Sequence, residues 1–129
     1  MRDSGDDPTR VQMSESKTNG DSWTVARKTD IPNTASVEVC VLKNGTWAFL
    51  GNDIDDGRYQ LSLYLSDDEG ATWKWKTKIE DHAKNDGGYS YPCLIQAADG
   101  LLHMTYSYHT GEKTKSIKYV VVDPARMTK

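Results

Sequence analysis

The stretch Ser66-Asp67-Asp68-Glu69-Gly70-Ala71-Thr72-Trp73 constrains this chain more than any other, because its spacing, Ser-x-Asp-x-Gly-x-Thr-Trp, prescribes a tight hairpin loop. A short acidic side chain such as Asp68 hydrogen-bonds the backbone two residues on, and Gly70 supplies a corner at positive φ. The Ser66 and Thr72 hydroxyls tie off further loop amides, and Trp73 drops an apolar ring onto the sheet that follows. A weaker copy reads Ser16-Lys17-Thr18-Asn19-Gly20-Asp21-Ser22-Trp23, with Thr18 in place of the Asp and Ser22 in place of the Thr. The first residues of the two copies, Ser16 and Ser66, lie 50 residues apart. A fixed period of about 20–50 residues marks a repeat architecture.

The chain has 129 residues and a formal net charge of −3, with its charges spread along its length. No basic face of the kind that grips phosphates is apparent, which excludes nucleic acid as the expected partner. No apolar run approaches membrane-spanning length, and the first residues lack the apolar core of a signal peptide, so the localisation is left open between two expectations: cytoplasmic as the chain stands, or exported by a signal segment that is missing. Cys40 and Cys93 are too few for a disulfide framework or a zinc site, and both are expected as buried free thiols in apolar strands.

From residue 10 onward, short β-like runs alternate with turn signals and no stretch holds a helical period. Residues 1–9 read as a disordered tail. Strands are expected at 10–14 and 23–28, with 31–34 crossing to the next unit. One full four-stranded sheet then follows. Ser36–Leu42 is its innermost strand, Asn44-Gly45 a hairpin turn, Thr46–Gly51 the second strand, Tyr59–Leu65 the third and Trp73–Ile79 the fourth. Val39-Cys40-Val41-Leu42 runs without alternation, which predicts burial on both faces. Another sheet restarts at Tyr91–Gln96, turns at Asp99-Gly100, returns along Leu101–Tyr108 and continues through Ser116–Val122. The organisation is therefore a half unit at 10–30, a full unit at 31–82 and an incomplete unit at 83–124, together spanning 10–129. Laying Asn44-Gly45 on Asp99-Gly100 places Val39 on Leu94.

The residues from about Thr29 to Asp123 resemble the C-terminal blades of the sialidase (neuraminidase) superfamily, whose β-propellers carry Asp-box, or BNR, repeats. The resemblance is carried by Asp30-Ile31-Pro32-Asn33, by the strand and box from Arg58 to Trp73, by Tyr89-Ser90-Tyr91-Pro92 and by Ser116-Ile117-Lys118. It implies an all-β fold of antiparallel four-stranded propeller blades, about two of them. Closed propellers have about four to eight blades. A lone pair of blades leaves apolar faces and strand edges in water. Completion by another copy is therefore expected, with a trimer favoured: three copies would make six blades, strands 10–28 of one closing the last blade of the next.

The resemblance also implies chemistry. Sialidases use a tyrosine nucleophile. An anionic attacker is repelled by the substrate carboxylate, whereas a phenol activated by a nearby carboxylate carries its charge further away. With an ordinary pKa near 10, a tyrosine needs such a base at neutral pH. Arginines clamp the substrate carboxylate by bidentate hydrogen bonds. Tyr91 stands where the resemblance places the nucleophile, or else it plugs the top of a core strand. Tyr89, expected to face the same way, is the fallback and a substrate contact. Arg58, eight residues before the box, is either a clamp arginine or a solvated loop residue. Glu38, inside an apolar strand, is costly to bury alone. It is either an ion-pair partner, with Arg58 the candidate, or the base. Asn52 either lines the same mouth or caps a turn. Ser66, Asp68, Gly70, Thr72 and Trp73 are structural. His103 and His109 lack acidic or thiol companions at metal spacing, so no metal or cofactor is expected. Tyr106 and Tyr108 are expected to pack on a blade face rather than stack on a sugar.

Departures from the family pattern matter as much. The Arg-Ile-Pro arginine of sialidases is replaced in Lys28-Thr29-Asp30-Ile31-Pro32, and the general-acid Asp and the other clamp arginine belong to blades absent from this sequence. Catalysis needs positioned groups acting together. The expected function is thus a sialidase-like glycoside hydrolase fragment that acts on or binds sialic-acid-type glycans and is inactive alone. The alternatives are a non-catalytic carbohydrate-binding or protein-interaction module, or a decayed gene remnant.

Overall fold

A computed structural model of the chain describes residues 1, 5, 7–33, 35–111 and 114–129. Among them, three antiparallel sheets follow one another along the chain. The first pairs β1 (Arg10–Met13) with β2 (Arg27–Pro32). The second is a meander of β3 (Glu38–Val41), β4 (Trp47–Gly51), β5 (Gln60–Ser66) and β6 (Trp75–Asp81). The third runs through β7 (Gly88–Gln96), β8 (Leu102–Thr110) and β9 (Thr114–Val122). The architecture is all-β, a set of antiparallel propeller blades without a closed barrel. No helix among the described residues is long and apolar enough to cross a membrane.

Two equivalent turns set the registers. Leu42 donates to the Thr46 carbonyl at 2.8 Å around Gly45, and Ala97 donates to the Leu101 carbonyl at 3.0 Å around Gly100. Asn44 and Asp99 each accept the amide two residues on, at 3.1 and 2.9 Å. The period-2 alternation of strands then sorts the side chains. Leu61, Leu63 and Leu65 of β5 lie on one face with Ala48 and Leu50 of β4. They pack against Leu94, Leu102, Met104 and Tyr106 of the third sheet. The other face of the second sheet turns Phe49, Val37, Tyr64 and Trp73 toward Val11 and Ile31 of the first. Each fully buried leucine, phenylalanine or methionine side chain among them contributes about 1.5–3 kcal/mol.

Four expectations are corrected. The strand expected at 23–28 forms instead at Arg27–Pro32, because the Trp23 indole donates to the Gly20 carbonyl at 3.0 Å and folds back on its own loop. The crossover expected at 31–34 therefore begins inside a strand, with Thr34 outside the described residues; the expected tail at 1–9 likewise falls partly outside them, at 2–4 and 6. Cys93 is exposed because it alternates with Leu94 and so lies on the outer face of the third sheet, and Cys40, which shares Ala48's face toward that sheet, is only half-buried because β3 is the edge strand. Val39 and Val41 are exposed, so β3 alternates after all. A one-turn helix, α1 (Pro124–Met127), follows β9, begun by Pro124 and capped by Asp123, which accepts from the Ala125 amide at 3.0 Å.

The two boxes fold alike. In the complete one, Ser66 donates to Asp68 at 2.7 Å and accepts from the Gly70 amide at 2.8 Å, while Asp68 accepts from the Thr72 amide at 2.8 Å and hydroxyl at 2.6 Å. In the degenerate one, Ser16 accepts from the Gly20 amide at 2.9 Å, and Thr18 accepts from the Ser22 amide at 2.8 Å. The left-handed corners are Asn19 and Gly20 in one, Glu69 and Gly70 in the other. Both boxes lie at the end of the sheets where Trp47 meets Ser66. The opposite end gathers the start of β3, the 52–59 loop and the start of β7.

The Thr72 hydroxyl, with the Thr72 amide and the Ser66 hydroxyl, holds the Asp68 carboxyl down at about 2. An unfolded aspartate titrates near 3.9. A depressed folded value stabilises above the unfolded one and is lost as pH falls toward 2. Thermal unfolding followed from pH 5 to 2 is expected to show the wild type losing stability faster than Asp68→Asn. Parallel losses would show that the box carboxylate carries no linkage.

Candidate functional site

The end of the sheets opposite the boxes is built on a buried amide. Asn52, just past β4, donates from Nδ2 to the Gln60 carbonyl at 2.5 Å and the Tyr89 carbonyl at 3.0 Å. It thereby ties the 52–59 loop to the start of β7, and the Tyr89 amide adds a 2.8 Å bond to the Arg58 carbonyl. Asn52 is fully buried, so it braces the mouth rather than lining it.

Tyr89 and Tyr91 part company at a bulge. Ser90 sits opposite Ser107 but Cys93 opposite Thr105, so one extra residue is inserted around Tyr91 and Pro92. Pro92 has no amide to give the ladder, which suits a bulge. Tyr91 adopts φ 53, an unusual left-handed value for an aromatic residue and more so before proline. The twist reverses the alternation. Tyr89 is fully buried among His82, Tyr106 and Tyr108, with ring centroids 5.6, 6.2 and 5.4 Å away, and its hydroxyl has no partner. Burial, reinforced by the charge of Glu80, pushes its phenol up to about 12. The expectation that Tyr89 shares the orientation of Tyr91 and meets substrate is corrected on this ground. Gly87, at φ 129, is required here: a Cβ would stand 2.7 Å from the Tyr89 hydroxyl.

Tyr91 is 68% exposed, and the Arg58 guanidinium lies over its ring, 5.7 Å from the centroid. Such an exposed cation–π contact is worth about 0.5–1 kcal/mol. The other described arginines are committed to carboxylates: Arg10 to Asp55 at 2.6 Å, Arg27 to Glu15 at 3.6 Å and Arg126 to Asp123 at 3.5 Å. Among the described residues, Arg58 is the arginine without a carboxylate partner. Glu38, half-buried at the start of β3 opposite Leu50, makes no ion pair among them, so the pairing with Arg58 weighed from sequence does not form.

Two buried carboxylates escaped the sequence reading. Asp53 accepts from Ser62 and Tyr64 hydroxyls, each at 2.8 Å, and pairs with Lys76. Burial alone would raise its pKa, but these donors outweigh it and hold the carboxyl low. Burial with Asp53 alongside pushes the Tyr64 phenol up to about 12. Glu80 receives the Tyr106 hydroxyl and the Lys118 ammonium, the latter at 2.5 Å, with His82 at 3.7 Å. The register slips between Leu61 and Ser62, which places Glu80 opposite Leu61 on the core-facing side of β6. Alternation in sequence would have put it outside with Lys76 and Lys78. His103 bonds the Tyr119 hydroxyl and faces Asp99 at 3.4 Å. No cluster of three potential metal ligands is found among the described residues.

The strain at Tyr91 gives a direct expectation. A non-glycine residue held at positive φ costs about 1–3 kcal/mol, and this exposed ring recovers little by packing. Tyr91→Gly is expected to leave the urea midpoint unchanged or raise stability by about 1 kcal/mol. A loss above about 1 kcal/mol would show that the ring is held for packing.

No curated protein matches the sequence. The family pattern of the BNR repeat-like domain matches residues 1–104, spanning both boxes, the full blade and the β7–β8 turn. With most of its length covered, the chain belongs to the BNR repeat-like domain family, the Asp-box repeats of the sialidase superfamily.

Proposed function

We propose that the end of the blades carrying Arg58 and Tyr91 binds the carboxylate of a sialic-acid-type sugar, and that a single copy does so without hydrolysing it. One observation carries this reading: Arg58, alone among the described arginines in lacking a carboxylate partner, lies over an exposed tyrosine that a strained bulge presents. A guanidinium in that state offers its paired N–H groups to an incoming carboxylate, the fork geometry that such anions favour. The Tyr91 ring limits the directions the guanidinium takes, and its hydroxyl adds a donor beside the bound sugar.

Turnover needs more than this end supplies. A nucleophilic phenol requires a base within hydrogen-bond reach and an acid for the leaving group. Glu38 at the start of β3 shares this end of the sheets and is the candidate base. Sialidases clamp the substrate carboxylate with several arginines, whereas Arg58 acts here alone. Binding without hydrolysis is therefore the reading that fits the residues present.

Titration of the chain with N-acetylneuraminic acid, followed by amide chemical shifts, tests it. Arg58→Ala is expected to weaken binding about tenfold, which corresponds to about 1.4 kcal/mol for one charge-assisted contact, with Arg58→Lys intermediate. Equal affinity in wild type and Arg58→Ala would sink the assignment. Hydrolysis of a fluorogenic sialoside that persists in Tyr91→Phe would remove Tyr91 from any nucleophilic role.

A further inference from the structure

Two neighbouring carbonyls hold the segment from which Arg58 emerges. That of Arg58 accepts from the Tyr89 amide at 2.8 Å, and that of Tyr59 accepts from the His82 amide at 3.1 Å. His82 therefore anchors this segment at the point where the 82–87 loop begins. Its imidazole lies over the buried Tyr89 ring, with centroids 5.6 Å apart. Both ring nitrogens face carboxylates: Nε2 stands 3.7 Å from Glu80 on β6, and Nδ1 stands 4.0 Å from Asp86 near the far end of the loop. The Tyr106 hydroxyl of β8 and the Lys118 ammonium of β9 both go to Oε1 of Glu80, which leaves Oε2 to His82. Lys84 pairs with Asp56, joining this loop to the 52–59 loop, and Asp81 is engaged by Lys78 at 2.9 Å and Gln60 at 2.7 Å. His109, across the ladder from Gly88, pairs with no carboxylate among the described residues.

A neutral imidazole carries one N–H and serves one of two carboxylates, whereas the imidazolium donates to both. Protonation of His82 thus gathers Glu80 and Asp86 onto one ring and closes the loop over Tyr89, whose amide holds Arg58. We propose that His82 is a positioning residue for Arg58, and that its protonation makes this end hold a carboxylate ligand more tightly in mild acid than above neutrality. The proposal rests on the reading of Arg58 as the carboxylate-binding group. A sugar carboxylate stays ionised over that range, so the pH dependence belongs to the protein. Coupling is reciprocal: a ligand that needs the braced Arg58 favours the protonated ring, and the protonated ring favours the ligand. The side chains of His82 and Asp86 are 34% and 72% exposed, so the gain is that of solvent-screened ion pairs. It amounts to about threefold to fivefold.

Two measurements on the full chain test this, from about pH 8 to about pH 5.5, the range over which a histidine changes charge. Hydrogen exchange of the Tyr89 amide, corrected for the pH dependence of exchange itself, reports the bond to Arg58 without any ligand. Its protection is expected to rise about threefold in the wild type and in His109→Gln, to rise less in Asp86→Asn, and to stay flat in His82→Gln. Titration with N-acetylneuraminic acid is expected to show the same pattern in affinity. Protection that does not change in the wild type, or a rise that survives in His82→Gln, would overturn the proposal, as would a sugar affinity equal at both pH values. Sugar that moves no resonance at either pH, while Tyr89 protection still follows His82, would instead remove the carboxylate reading and leave the brace upheld.

Discussion

A four-stranded sheet with apolar side chains on both faces is stable only when both faces are covered, and this demand organises the whole molecule. Leu61, Leu63 and Leu65 satisfy it on one side by packing on the third sheet. On the other side, Val11 and Ile31 reach Phe49, and the first sheet covers only the outer part of the face. Apolar surface left in water forgoes about 25 cal/mol per Å². The half-covered β3, the cleft beside it and the bare face of β9 are thus consequences of one rule applied to sheets of two, four and three strands.

The same sheets separate stability from recognition by putting them at opposite ends. The box loops satisfy their own backbone groups through Ser66, Asp68 and Thr72 and need no neighbour. The opposite loop is held from below by Asn52, which bonds Gln60 and Tyr89 at once. Through the Tyr89–Arg58 backbone bond, that buried amide fixes where Arg58 emerges and therefore where it meets Tyr91. A binding group set by a buried brace loses less freedom on meeting a ligand than one on a free loop.

Much of this was legible because it rests on local rules. The box spacing, the Asn-Gly and Asp-Gly turns and the alternation in β5 fixed three sheets and their order, and even the degenerate box, with Thr18 for Asp, closes the same loop. What the residues hid lies where alternation breaks. The bulge at Tyr91 sends Tyr89 inward, against the i, i+2 rule, and the slip beside Leu61 turns Glu80 toward the core. Asp53 sat among Asp55 and Asp56 in a polar loop; only the cross-strand pair Tyr64–Lys76 hinted at a buried acceptor. The exposure of Cys93 depends on which sheet face a neighbour covers, a fact that no single strand encodes.

The equivalence between the two sheets is geometric more than chemical, and the difference decides how the exposed face behaves. Where the second sheet has Ala48, Leu50 and Leu63, the third has His103, Thr105 and Tyr119. There His103 bonds Tyr119 and faces Asp99, whose carboxyl is held low first by the Leu101 amide. The intrachain contact adds a buried polar clamp, Glu80 with Tyr106 and Lys118, which fixes its register and is costly to break from one side. Its counterpart on β9 has no such clamp: Leu61 has Glu80 beside it, and Ile117 has only solvent. The sheet pair inside the chain is therefore locked by that clamp, and among the described residues the open face of β9 carries no equivalent of it.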